Sequence, residues 1–400
     1  MEKKMITILV GVFLLAAVPA LAAEKTVTFG IPIGYSGVMA LYGKMAQRGF
    51  DFYKDFVNSR GGIEVGGEKY KLDIKYYDDK SDAATSAKMV EKMITEDNIK
   101  FLTASVGSGP ALAATSVAEK FKLPMIGPLA GSDKIYERGY KYIFGILNLS
   151  STDWDAMFEQ IMKLNPQPKT IAIMTRNDLF PLTSANGAKA MAEKLGLKVV
   201  MFEPYPAGTQ DMSPMLNKAK FEKPDILLAT GHIGEAIQVG KQLRELGLYF
   251  PIVMMTAGPE SAEFADSLKD GAEEIIGVAK WIPDLPFKGP ILGSSSDYGN
   301  GFQKKFNYPP SYVEASCTNA LLLFHLAIQK AGTLDPQKVR DAIAGLNVTT
   351  FYGPIRFDER GANLGAVCFP VQIKKGKIVS VYPKEYATGT ITYPHPKWKK

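Results

Sequence analysis

The chain has 400 residues, 46% of them hydrophobic and 22% charged, with a formal charge of +6. That length exceeds one domain of roughly 100–200 residues and points to two cores. So mild a charge argues against a nucleic-acid surface, and the three histidines show no metal-ligand spacing with one another or with the two cysteines.

Lys3 and Lys4 precede an apolar run from Ile6 to Val18, closed by Pro19-Ala20-Leu21-Ala22-Ala23. The run falls short of the roughly 20 residues a membrane-crossing helix needs, and its small closing residues suit a peptidase. Residues 1–23 are therefore expected to be a cleavable signal peptide, and their removal leaves a charge of +5. No cysteine stands near Ala22 or Ala23 to carry a lipid, so the expected address is the periplasm, without an anchor. Nucleotide cofactors are not supplied there, and none is expected. The basic cluster Lys397, Lys399 and Lys400 reads as a solvated tail.

From Thr26 onward, segments of strand and helix character take turns. Strands are expected at Thr26–Ile33, Leu72–Tyr77, Phe101–Ser105, Pro124–Gly127, Ile171–Thr175, Val199–Tyr205, Ile226–Ala229, Ile252–Thr256 and Ile275–Ala279. Helices are expected at Met45–Asn58, Ala83–Thr95, Ala111–Phe121, Trp154–Leu164, Ala185–Leu195, Glu235–Leu246 and Glu260–Leu268. Such alternation predicts α/β architecture with two doubly wound parallel sheets. After Trp281 comes a Pro/Gly/Ser-rich loop over Pro283–Ser296, then helices near Tyr298–Phe306, Val313–Lys330 and Pro336–Leu346, and strands near Gly353–Phe357, Val367–Ile373 and Ile378–Tyr382.

Ligands of open parallel sheets bind beyond the carboxyl ends of the strands. There, Val106-Gly107-Ser108-Gly109-Pro110 leads into a helix, and its glycines, hydroxyl and unpaired N–H groups make a seat for a carboxylate. On the local sequence alone, Ser108 reads first as an ordinary helix N-cap without a ligand. The Gly107-x-Gly109 spacing lacks the third glycine of a dinucleotide fingerprint, because Leu112 stands in its place. Pro128-Leu129-Ala130-Gly131-Ser132 is a second loop at the same edge. Glu260, after Ile252–Thr256, reads either as a dipole-favoured residue opening a helix or as the partner of a ligand ammonium. Phe180 and His232 follow strands at the sheet edge, and Asp78-Asp79 looks solvated. Neither a nucleophile elbow nor a metal set is recognisable, so no enzyme is expected. Cys317 and Cys368 are left open between one disulfide and two buried thiols.

Ser36-Gly37, Gly61-Gly62-Ile63, Tyr77-Asp78-Asp79, Leu123-Pro124-Met125-Ile126-Gly127-Pro128, Arg138-Gly139-Tyr140, Gly258-Pro259-Glu260, and Gly353-Pro354 with Phe357-Asp358 occur in an order and spacing that resembles the periplasmic leucine/isoleucine/valine-binding proteins. These are the solute receptors of branched-chain amino acid ABC transporters. The resemblance covers essentially the whole chain after residue 23. It implies a type I clamshell with three crossover strands, lobe one over 24–148 plus 284–356 and lobe two over 149–283 plus 357–400. It further implies a carboxylate site at Ser108 with neighbouring Gly107 and Gly109, completed by Leu129, Ala130 and Gly131. Glu260 would meet the ammonium, and Tyr42, Phe180 and His232 would line the cleft.

Two positions depart from the family pattern. Gly131 replaces a threonine, and Phe180-Pro181 replaces Tyr-Gly. The expected function is amino acid capture by a monomer that delivers its ligand to an ABC permease. Binding of a carboxylic acid without an amine, a sensory role, and an exported hydrolase are the alternatives.

Overall fold

The computed structural model describes residues 24–396, so the expected signal peptide and the basic tail lie outside the described residues. The first sheet holds β1 (Thr26–Ile33), β2 (Ile63–Val65), β3 (Glu68–Asp78), β4 (Phe101–Thr103), β5 (Met125–Gly127) and β6 (Ile143–Gly145) in the order β2-β3-β1-β4-β5-β6. All its pairs are parallel except the β2–β3 hairpin. Helices α1 (Ala40–Asn58), α2 (Ala83–Thr95) and α3 (Ser108–Phe121) connect its strands.

After α4 (Asp155–Ile161) the second sheet begins with β7 (Thr170–Arg176), β8 (Lys198–Tyr205), β9 (Ile226–Thr230), β10 (Ile252–Met255) and β11 (Ile276–Ala279). These strands are parallel, joined by α5 (Leu179–Lys194), α6 (Ser213–Glu222), α7 (Ile233–Glu245) and α8 (Ala262–Leu268). Every residue of β9, Ile-Leu-Leu-Ala-Thr, is buried, as a strand covered on both faces requires.

The chain then returns to the first sheet's side. It forms the short hairpin β12 (Lys288–Gly289) and β13 (Gly293–Ser294), then α9 (Ser295–Phe306), α10 (Tyr312–Ala331), α11 (Pro336–Ala344) and the hairpin β14 (Asn347–Thr350) and β15 (Gly353–Arg356). Helix α10 is buried along nearly all its length, and its Phe324 ring lies 5.2 Å from Phe29 of β1. A last crossing brings β16 (Phe369–Lys374) and β17 (Lys377–Ser380) antiparallel onto β11, giving the order β17-β16-β11-β10-β9-β7-β8. The two-lobed α/β architecture with three crossings is thus as expected.

One buried ammonium touches all three crossings. Lys280, just after β11, donates to Asn148 Oδ1 of the first crossing at 2.7 Å, pairs with the fully buried Asp153, and lies 3.6 Å from Cys368 Sγ of the third. Removing one partner of such a pair costs about 3–5 kcal/mol. Cys317 and Cys368 are both free thiols.

Several expectations shift. Helix α5 starts at Leu179 rather than Ala185, because Pro181 falls within its first turn, where no intrahelical N–H is needed. Helix α6 has few buried positions, and Phe221 on it is 83% exposed, so its apolar pattern is faint. Of the Asp78-Asp79 pair, Asp78 is half-buried and only Asp79 is withdrawn from solvent. Asp79 is buried and accepts from the Ser105 hydroxyl and from Ser81 N–H, while Asp78 accepts from the N–H groups of Tyr35, Ser36 and Lys80, so the two carboxylates fasten loops at the sheet edge.

Candidate functional site

The carboxyl ends of the two sheets face each other. On the first wall the backbone turns from β4 into α3 through Gly107, whose φ of +91° lies in the region that favours glycine. Ser108 is the first residue of α3, not its N-cap. Its Oγ accepts from Ser132 N–H at 3.1 Å, which leaves its own proton free to donate. Leu129, Ala130 and Gly131 are all buried beside it. A Cβ on Gly131 would come within 2.5 Å of Ser150 Oγ, so the space that a side chain would need at this position is taken by Ser150.

On the second wall His232 caps α7 with its backbone N–H donating to Glu235 at 3.2 Å, and its Nε2 lies 3.3 Å from Asp178 Oδ2. Arg176, ending β7, binds both Asp178 at 3.2 Å and Glu235 at 2.9 Å, closing a ring of four residues that fixes the imidazole. Burial opposes ionisation of Asp178, yet the His232 bond and the charges of His232 and Arg176 hold its carboxyl below the usual range. Phe180, in the first turn of α5, packs 5.6 Å from the His232 ring.

The walls already touch. Tyr42 of α1 sets its ring 5.5 Å from His232 and accepts from Ile233 N–H of α7 at 3.2 Å. The Ser132 and Thr183 hydroxyls meet at 2.8 Å. Between the walls Tyr42, Gly107, Leu129, Phe180 and His232 enclose a cavity of about 20 Å³, completed by Met39, Val106, Leu147 and Tyr312. That is room for roughly one water molecule. A larger recess of about 280 Å³ opens outside Tyr42 and His232, between Val38, Leu41, Gln210 and Gln238.

Glu260 lies outside the lining of this cavity and outside a helix. Ser261 caps α8, which begins at Ala262, so the dipole reading of Glu260 falls away. Its carboxyl is 3% exposed: Oε2 accepts from Gly258 N–H at 2.9 Å, and Oε1 has no donor among the described residues. Burial raises its pKa to about 7, against the pull of two backbone N–H groups and of Lys280. Tyr42 and Tyr312, which line the cavity, are within reach of its charge.

The structure thus gathers Tyr42, Gly107, Leu129, Phe180 and His232 around one cavity, while Ser108, Gly109, Ala130, Gly131 and Glu260 are not part of its lining. Sequence reasoning missed Tyr312 and Leu147, which come from a helix start and a crossing. It also missed the Arg176–Asp178–Glu235 ring, although a charged residue closing the apolar strand Thr-Ile-Ala-Ile-Met-Thr-Arg had to find partners. Among the described residues no group of three or more acidic, His or Cys side chains is arranged to hold a metal, and no helix is long and apolar enough to cross a membrane.

The sequence profile of the periplasmic binding protein family matches residues 26–377. Leu/Ile/Val-binding protein homolog 7 of Brucella melitensis is 26% identical over 98% of this chain and 100% of its own length. Among solved structures, the branched-chain amino acid transporter substrate binding protein LivJ of Streptococcus pneumoniae, in complex with isoleucine, superposes with a TM-score of 0.78 at 22% identity, covering 88% of this chain and 98% of that one. An ABC transporter solute binding protein of R. palustris, in complex with benzoate, superposes with a TM-score of 0.79 at 20% identity, covering 89% and 95%.

Proposed function

Because the chain belongs to the periplasmic binding protein family, alongside the Leu/Ile/Val-binding proteins, we propose that it captures an amino acid with an apolar or aromatic side chain by closing its lobes and delivers it unaltered to an ABC transporter permease. The ligand carboxylate would dock on the Ser108 hydroxyl and the N-terminal N–H groups of α3. Its ammonium would meet Glu260, and Tyr42, Phe180, His232 and Tyr312 would surround the side chain. Closure would be a hinge motion about the three crossings, drawn by the better contacts of the closed state. The protein would act as a monomer in the periplasm after loss of residues 1–23.

The observation that carries this reading is Glu260 Oε1, a buried carboxylate oxygen with no donor among the described residues. In this reading a ligand ammonium would match that oxygen through a charge-assisted bond in a water-excluded site.

The aromatic lining favours a second reading, a carboxylic acid without an amine, as in the benzoate complex of the R. palustris protein. Glu260 would then act as a protonated acid and donate. Calorimetry across pH separates the two. An ammonium ligand requires ionised Glu260, so affinity should rise through pH 7 and be about tenfold weaker at pH 6 than on the plateau. An acid that receives the Glu260 proton should bind more weakly as pH rises through 7.

A further inference from the structure

We infer that Arg176 is a positioning residue for the ligand cleft: from outside the cavity lining, its guanidinium fixes His232 at two points and so sets the face that the second wall turns to the ligand's side chain. The part about the ligand rests on the function proposed above; the hold of Arg176 on His232 does not.

Arg176 ends β7 with a side chain only 3% exposed, and a charge so withdrawn from water has to be paired. Its two terminal nitrogens reach the starts of two different helices. One binds Asp178 Oδ2 at 3.2 Å, just before α5, and the other donates to Glu235 Oε1 at 2.9 Å, in the first turn of α7. Each carboxylate in turn holds His232. Asp178 Oδ2 meets the ring at Nε2, 3.3 Å away, and Glu235 Oε2 accepts the His232 backbone N–H at 3.2 Å. The imidazole and the peptide that carries it are thus both referred to one planar guanidinium, whose donors lie in a fixed fork as those of an ammonium do not.

Two local features show that these side chains are committed to the clamp. Asp178 stands at the N-cap of α5, where an aspartate ordinarily accepts from helix N–H groups, but its side chain does not cap that helix. A Cβ on Gly231 would come within 3.1 Å of the Glu235 Cβ, so glycine there gives Glu235 room to fold back over the α7 start. An ionised Asp178 can only accept, so the proton it meets lies on Nε2. With the ring so held, its neighbours follow: Phe180 at 5.6 Å and tilted by 36°, Tyr42 at 5.5 Å and edge-on at 78°. Aromatic contacts depend on angle as well as distance, and an imidazole free to turn would lose both.

R176K keeps the charge and gives up the fork. In the unliganded mature protein at about pH 8, where an imidazole is ordinarily neutral, long-range proton–nitrogen NMR reads which ring nitrogen of His232 carries the proton. The His395 ring serves as reference, because its backbone is bonded to Pro251 before β10 and a general loosening of the second sheet would move both. Calorimetry compares L-leucine with L-alanine, whose methyl group reaches the wall least. R176K should replace the Nε2-protonated signature of His232 by averaged signals and leave His395 as it was. It should weaken L-leucine about fivefold to tenfold and L-alanine no more than about twofold. An unchanged His232 signature, or one that changes together with His395, overturns the inference whatever happens to affinity. Should R176K fail to fold, R176Q/E235Q removes the cation with one of its two carboxylates, and an unchanged signature there has the same force. A changed signature with the two amino acids weakened alike, or not at all, upholds the hold on His232 and overturns the placing of the ligand's side chain against it. Failure of the wild type to bind L-leucine would count against the proposed ligand alone, since the NMR arm decides this hold without it.

Discussion

The polar groups of the cleft's two walls are prepared differently. On the first wall the Ser108 oxygen already receives the Ser132 N–H, and what remains for a ligand is one hydroxyl proton and the neutral N–H groups of a helix start. On the second wall Glu260 is a buried acid with one oxygen unmatched and a pKa raised by burial to about 7. The first wall keeps neutral donors to spare, whereas the second keeps a buried acid with an unmatched oxygen. In the function proposed here, the second wall therefore supplies most of the discrimination and the first supplies orientation.

Glu260 gives the largest way to break this contrast. E260A should weaken zwitterionic amino acids about a hundredfold in calorimetry, the size of a buried charge-assisted bond. The same acid should burden the fold. Its folded pKa of about 7 exceeds the unfolded value of 4.5, so the native state holds the proton more tightly. Stability is then lost as pH rises from the unfolded toward the folded pKa, and the penalty is complete above it. E260Q should consequently be more stable than wild type at pH 8, by up to roughly 3 kcal/mol, and equal to it near pH 4, as read by denaturant melts. Equal stability at both pH values would show that Glu260 is not strained.

Next in size is Gly131. G131A places a methyl against Ser150 Oγ and should cost about 1–3 kcal/mol in a melt, as overpacking of a buried site does. The double variant G131A/S150G should recover most of that. A G131A protein as stable as wild type would mean that the loop yields, and that the missing threonine reflects ligand choice rather than space.

Much of the frame was legible because burial on both faces leaves unbroken apolar runs. Thr26–Ile33 and Ala83–Thr95 have the bounds read from sequence. Strands of three residues, such as Ile63–Val65 and Ile143–Gly145, carry too little pattern to stand out. At the site, local sequence separated strand ends from their surroundings but could not tell a cap from a ligand group. Ser108 and Glu260 both looked like helix-start residues, and only the third dimension shows that neither caps a helix. Tyr312 was hidden for another reason. It opens a helix that is almost wholly core, so nothing in its neighbours marks it as facing the cavity.

Tyr42 joins the walls, and breaking that joint tests closure without touching either polar end. Its hydroxyl accepts the Ile233 N–H at the start of α7, so Y42F would leave a buried donor unmatched in the closed state alone. That should weaken every ligand by about tenfold, with the loss in dissociation rate, because the open state has no such bond to lose. A Y42F effect that depends on the ligand would place the hydroxyl in recognition instead.

The smallest effect is expected at Ser108, and its smallness is the point. S108A removes one hydroxyl donor but leaves the N–H groups of the α3 start in place, and a carboxylate seated there keeps most of its bonds. The Ser132 N–H would lose its acceptor, which adds a stability cost of about 1 kcal/mol. Affinity should fall only severalfold, equally for amino acids and for benzoate, since both present the same carboxylate to this wall. If S108A instead matched E260A in severity, the two walls would be energetically alike, and orientation and discrimination could not be divided between them.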